Sequence, residues 1–216
     1  MPATNGPLAR CAQNPRYLQD ASGRALLLAG MHTWNNLQDM GRGDPPPTLD
    51  FDRYLELLVS STHNFTRMWA WDMLCTWRET DRVAPFPWRR TGPGEAADGG
   101  PRFDLERLDE AYFVRLASRV EQAARRGVYV CVMLFDGWAV QTRSNARRDM
   151  HLFAAGNNVN DIDITASERD GVLRSWCTLD DARVLALQEA YVRRVVETLG
   201  GPDNVLYEVS NEAGAA

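Results

Sequence analysis

The chain has 216 residues, 44% of them hydrophobic and 25% charged, which is enough apolar content for one sizeable core and one domain spanning residues 1–216. Its formal net charge of −5 argues against a nucleic-acid partner, which would call for a basic face to neutralise phosphates. No stretch approaches the roughly 18 apolar residues of a membrane span, and residues 1–7 lack the basic start and apolar run of a secretory signal, so the chain as written is expected in the cytoplasm unless an upstream segment carries a signal.

Short apolar runs alternate with stretches of helical spacing, the pattern of βα units around a parallel sheet. A first strand is predicted over 25–29, after a turn at Asp20, Ser22 and Gly23 that makes a short hairpin. Asp50 or Thr48 can cap a helix carrying Phe51, Tyr54, Leu55 and Leu58, and the second strand follows over 64–70. A long loop then runs to Asp104, the expected cap of a helix with Leu105, Leu108, Tyr112, Leu116 and Val120 on one stripe, ending before Gly127. The unbroken apolar run 128–135 is the third strand. After another long loop, a helix with Val184, Leu187, Val192, Val195 and Leu199 leads to a fourth strand over 204–210.

The fold class expected is therefore α/β, a (β/α)8 TIM barrel cut after about its fourth strand, because complete barrels typically run to about 250 residues. Connections from helix to strand are short and those from strand to helix are long, which places the chemistry at the C-terminal ends of the strands. The four cysteines stand far apart and encode neither a zinc site nor a disulfide framework; a bridge between Cys75 and Cys177, both in predicted loops, stays open.

The fourth strand ends in Ser210, Asn211 and Glu212, where a barrel strand delivers side chains into a site. A glutamate there suits glycosidic bond cleavage, which needs an acid beside the leaving oxygen, and Asn211 can donate to a neighbouring sugar hydroxyl. Arg67 interrupts the apolar second strand and wants a carboxylate, either a catalytic one or Glu208 on the fourth strand. His32, Trp34, Asn35, Trp69, Asp136, Trp138, His151 and Asn158 follow strands or sit in the long loops, and flat rings interleaved with amides and carboxylates suit a sugar. Asp72 and Asp136 are the local candidates for a second catalytic carboxylate, though capping loops or binding hydroxyls is the simpler role for both.

The runs Asn14 to Arg24, Gly30 to Asp39, Asn64 to Trp69 and Val205 to Glu212 resemble the opening strands, the arginine-bearing second strand and the Asn-Glu fourth strand of the family 5-like, clan A retaining glycoside hydrolases, a cellulase-like group. The resemblance implies double displacement on a β-linked oligo- or polysaccharide, with Glu212 as general acid/base and the nucleophile a glutamate on a seventh strand beyond these residues. It also implies that the 216 residues alone are inactive. No metal or organic cofactor is implied, since two carboxylates suffice. A non-catalytic carbohydrate-binding protein is the alternative, whereas a Schiff-base aldolase lacks its lysine: all 24 basic residues are arginine, a bias that also suggests a GC-rich, bacterial coding sequence.

Overall fold

In the computed structural model, residues 3–140, 148–169 and 171–212 are described, and the chain opens with three short antiparallel strands, β1 (Ala9–Arg10), β2 (Leu18–Gln19) and β3 (Ala25–Leu26). The hairpin is as expected, with Asp20 Oδ1 accepting from the Ser22 and Arg24 N–H groups at 3.0 and 3.2 Å. The first barrel strand expected over 25–29 is not. From this segment Gly30 reaches the parallel sheet, as a single bridge to Phe65. A Cβ on Gly30 would lie 1.7 Å from the Phe65 carbonyl oxygen, so this approach requires glycine. Asn64 supplies in place of a ladder its own amide, accepting from the Ala29 N–H at 2.9 Å and donating to the Leu27 carbonyl at 3.1 Å.

A short strand β4 (Asp39–Gly41) precedes helix α1 (Phe51–Ser60). Asp50 caps α1, its carboxylate accepting from the Arg53 N–H at 3.0 Å, while Thr48 donates instead to Asp39. Phe51, Tyr54, Leu55 and Leu58 form its buried stripe, and burial of each such side chain contributes about 1.5–3 kcal/mol. Strand β5 (Phe65–Met68) follows, and β6 (Arg82–Ala84) pairs antiparallel with β4.

The next stretch departs from the sequence expectation. Residues 101–108 do not begin a helix; they form β8 (Pro101–Leu108), antiparallel to β7 (Trp88–Glu95), and the helix α2 (Glu110–Arg125) is capped by Asp109 rather than Asp104. Phe103 and Leu105 are buried at a spacing of two, and the Phe103 backbone exchanges hydrogen bonds with Asn157 and Val159 of the later loop. That tertiary pairing outweighs the helical spacing of Leu105, Leu108 and Tyr112.

Strand β9 (Tyr129–Asp136) lies between β5 and the last strand, with short antiparallel strands β10 (Glu168–Arg169) and β11 (Val172–Leu173) and helix α3 (Arg174–Cys177) in the long loop after it. Helix α4 (Ala182–Thr198), capped by Asp181, buries Val184, Tyr191 and Val195 and leads to β12 (Val205–Asn211). The parallel sheet runs β12-β9-β5, so each strand lies beside the one that precedes it in the α/β alternation. This is an α/β fold with a parallel sheet; β12 is its edge, where Tyr207 and Val209 are exposed. Cys75 is buried and Cys177 exposed, and neither is in a disulfide, so the open pairing is not made. Among the described residues no helix is long and apolar enough to cross a membrane.

Candidate functional site

At the C-terminal ends of β5 and β12 lies a cavity of about 380 Å³. Five tryptophans line it, Trp34, Trp69, Trp71, Trp77 and Trp138, together with His32, Arg67, Asn211 and Glu212. Most residues expected at the site, from four separated segments, thus line one cavity.

Of the two partners open for Arg67, the structure selects Glu208. The guanidinium grips that carboxylate through both Nε, at 2.5 Å, and Nη2. Nη2 also donates to Asn211 Oδ1 at 3.0 Å, and the guanidinium carbon lies 4.6 Å from the centre of the Trp69 ring. Arg67 therefore fixes the amide that precedes Glu212 while its charge is balanced by Glu208. Glu212 adopts φ +49°, a left-handed conformation that costs a non-glycine residue about 1 kcal/mol.

The rings are held from behind. Trp69 stacks on His32 at 5.4 Å, Trp71 lies 5.7 Å from Trp138, and Trp34 meets Trp77 edge to face at 5.0 Å. Two residues that the sequence did not single out set their positions. Asn36 accepts from the Trp69 N–H at 3.0 Å and donates to the Arg67 carbonyl at 2.6 Å. Gln38 accepts from the Trp71 N–H at 2.7 Å and donates to the Trp71 carbonyl at 3.2 Å. Their amides stand in for a neighbouring strand along 67–71, and their spacing of two is the one signal the sequence carries for it. Desolvation, and then the nearby Arg67 charge, hold the His32 imidazole below its ordinary pKa, so it is neutral at pH 7.

Other expectations are corrected. Asp136 is fully buried and does not line the cavity; its Oδ1 accepts from the Trp138 N–H at 3.2 Å. Asp72 Oδ2 accepts from the Asp136 N–H at 2.7 Å, so both carboxyls cap the loop after β9, the simpler of their two expected roles. Burial, then the Asp72 charge, pushes the Asp136 carboxyl up to about 8; burial pushes Asp72 up to about 7. His151 is fully buried, 4.6 Å from the Trp176 ring, and burial pushes it down to about 3. Asn158 is also buried, donating to the carbonyls of Leu152, Ala154 and Ile162 and accepting from the Ile162 N–H. Both pack the loop and line no cleft, because a buried backbone turn needs those polar atoms more than the surface does. Trp88 and Trp176, which also follow strands or sit in the long loops, are core residues. Asn35 lines a second cavity of about 310 Å³ that shares Trp34 and Trp77 with the first. Among the described residues no three His, Cys, Asp or Glu side chains gather as metal ligands.

No family model matches the sequence, and no curated protein matches it. The structure is similar over 98% of its length to 34% of a provisionally assigned glycoside hydrolase from Bacteroides vulgatus ATCC 8482, with a TM-score of 0.58 and 14% identity. It is similar over 91% of its length to 42% of endo-glycoceramidase II from Rhodococcus sp. in a cellobiose-like imidazole complex, with a TM-score of 0.50 and 19% identity. The chain spans about a third to two fifths of the length of these structures. At such identities the likeness shows the fold alone, an α/β arrangement with a parallel sheet that corresponds to part of TIM-barrel glycosidases.

Proposed function

We propose that this chain supplies the acid/base half of the active site of a retaining glycoside hydrolase, family 5-like and of clan A, acting on β-linked oligo- or polysaccharide. The observation that carries the reading is the grouping of Arg67, Asn211 and Glu212 at the ends of parallel strands inside a cavity walled by five tryptophans. Both glycosidase likenesses, one of them with a cellobiose-like ligand, agree with it.

In this mechanism Glu212 donates its proton to the glycosidic oxygen as a glutamate on a later strand, outside these residues, attacks the anomeric carbon. Glu212 then takes a proton from the water that releases the sugar. Asn211, its Oδ1 held by Arg67 and its NH2 group beside the Asp136 carboxyl, has a second N–H to offer a hydroxyl beside the broken bond. Neutral His32 can donate to or accept from a second hydroxyl, and the rings cover the apolar C–H faces. Tightening the Asn211 contact at the transition state would contribute to rate rather than to binding alone.

A sugar-binding protein without turnover is the second reading, favoured by one fact: among the described residues lining the cavity, Glu212 is the single carboxylate. The full-length protein assayed on aryl β-glycosides and β-glucans separates the two. Turnover that falls by about a thousandfold in Glu212→Ala supports the hydrolase. Sugar binding without turnover in the well-folded parent supports the binding protein.

A further inference from the structure

The second cavity differs from the first in charge. Trp34 and Trp77, 44% and 55% exposed, stand between the two as a shared wall. On its far side the wall faces Arg42 and Arg78, both exposed, and neither guanidinium has a carboxylate partner among the described residues. The lining also contains Asp81, whose carboxylate accepts from the Thr76 hydroxyl at 2.7 Å. Two cations against one carboxylate leave this cavity net positive in a chain whose overall charge is −5.

We propose that the second cavity is a saccharide subsite adjoining the cleft and that Arg42 and Arg78 there select a sugar unit carrying an anionic group, a carboxylate or a sulfate. The proposal rests on the glycosidase reading for its substrate class. A neutral ring gains from Trp34 and Trp77 but leaves two guanidiniums with nothing but water. A carboxylate or sulfate meets their planar donor forks in a matching geometry. Because Trp34 and Trp77 line both cavities, a chain lying in the cleft would pass its next unit across their edges into the charged side. At so open a site each ion pair is modest, and two together would favour the anionic unit by about tenfold at low salt, falling as salt screens them beyond about 10 Å.

The test is calorimetric binding to the full-length protein of three probes: a β-1,4-glucose tetramer, the same chain ending in a glucuronate, and the same chain with a terminal sulfate ester. The expected result is about tenfold tighter binding of one or both anionic probes, lost in the Arg42→Gln/Arg78→Gln double variant and at 0.5 M salt (roughly a 4 Å screening length). Which anion gains more identifies the source of the charge. Equal binding of all three probes, or a preference that survives in a double variant with an unchanged near-UV spectrum, overturns the proposal. Either single variant retaining part of the preference guards against a double variant that misfolds. Turnover of an aryl β-glycoside is read separately. Anion preference without turnover leaves the subsite standing and removes the hydrolase, whereas turnover without preference does the reverse.

Discussion

Two polar regions of this molecule use the same residue types to opposite ends. In the cleft, His32 is exposed and stacked on Trp69, and Asn211 shares its amide with an arginine at the cavity wall. In the loop after β9, His151 and Asn158 are buried and turned to backbone: His151 Nδ1 accepts from the Phe153 N–H at 3.1 Å, its Nε2 finding no partner among the described residues, and Asn158 makes four such bonds. A histidine or asparagine in a strand-to-helix loop becomes a ligand group or a loop pin according to where its neighbours leave backbone unsatisfied.

That contrast can be broken from the loop side most forcefully. Asn158→Ala strands the Leu152 and Ile162 carbonyls and the Ile162 N–H in the core, the Ala154 carbonyl keeping the Asn157 N–H, and should cost about 3 kcal/mol by urea denaturation, with sugar affinity in the cleft retained. Next comes the buried acid behind the cleft. The folded state raises Asp136 from 3.8 to about 8, so it binds the proton more tightly than the unfolded chain. Its stability contribution is full below about pH 4 and is lost as pH rises toward 8, by about 1.4 kcal/mol for each pH unit in between. Asp136→Asn should flatten that part of the decline between pH 5 and 7.

The buried histidine has the opposite sign. His151 is lowered from 6.5 to about 3, so the unfolded chain takes up the proton first, and stability present above pH 6.5 is lost as pH falls. His151→Asn, which keeps an acceptor near Nδ1, should remove about 2 kcal/mol of the difference between pH 6.5 and 5. Smallest for stability is the cleft itself. Trp34→Ala should change unfolding by less than about 0.5 kcal/mol, since the ring is half exposed, yet weaken sugar binding by about tenfold in a titration. Equal stability losses at Trp34 and Asn158 would erase the distinction between the two regions.

The sheet was legible because each of its strands is a short apolar run closed by a break. Gly127 and Gly200 to Asp203 marked the starts of β9 and β12, and Asp50 marked α1. The grouping of Arg67, Asn211 and Glu212 was legible for the same reason: strand ends converge whatever the loops do. What escaped was set by long-range partners. Leu105 and Leu108 fit a helical stripe with Tyr112 until β7 and the Asn157 to Val159 segment claim residues 101–108. Asn36 and Gln38 read as loop polar residues, because the backbone they serve lies some thirty positions later. For His151 and Asn158, composition gave the residue type and packing gave the direction.

The central claim is that Glu212 donates and then recovers a proton during glycoside hydrolysis, and the measurement that meets it directly is chemical rescue. Full-length Glu212→Ala would be given an activated aryl β-glycoside with and without azide. The expected result is slow turnover that azide accelerates, with a β-glycosyl azide as product, because an anion that needs no deprotonation replaces water at the enzyme-bound sugar. Turnover equal to that of the parent, with no azide effect and no glycosyl azide, would contradict it.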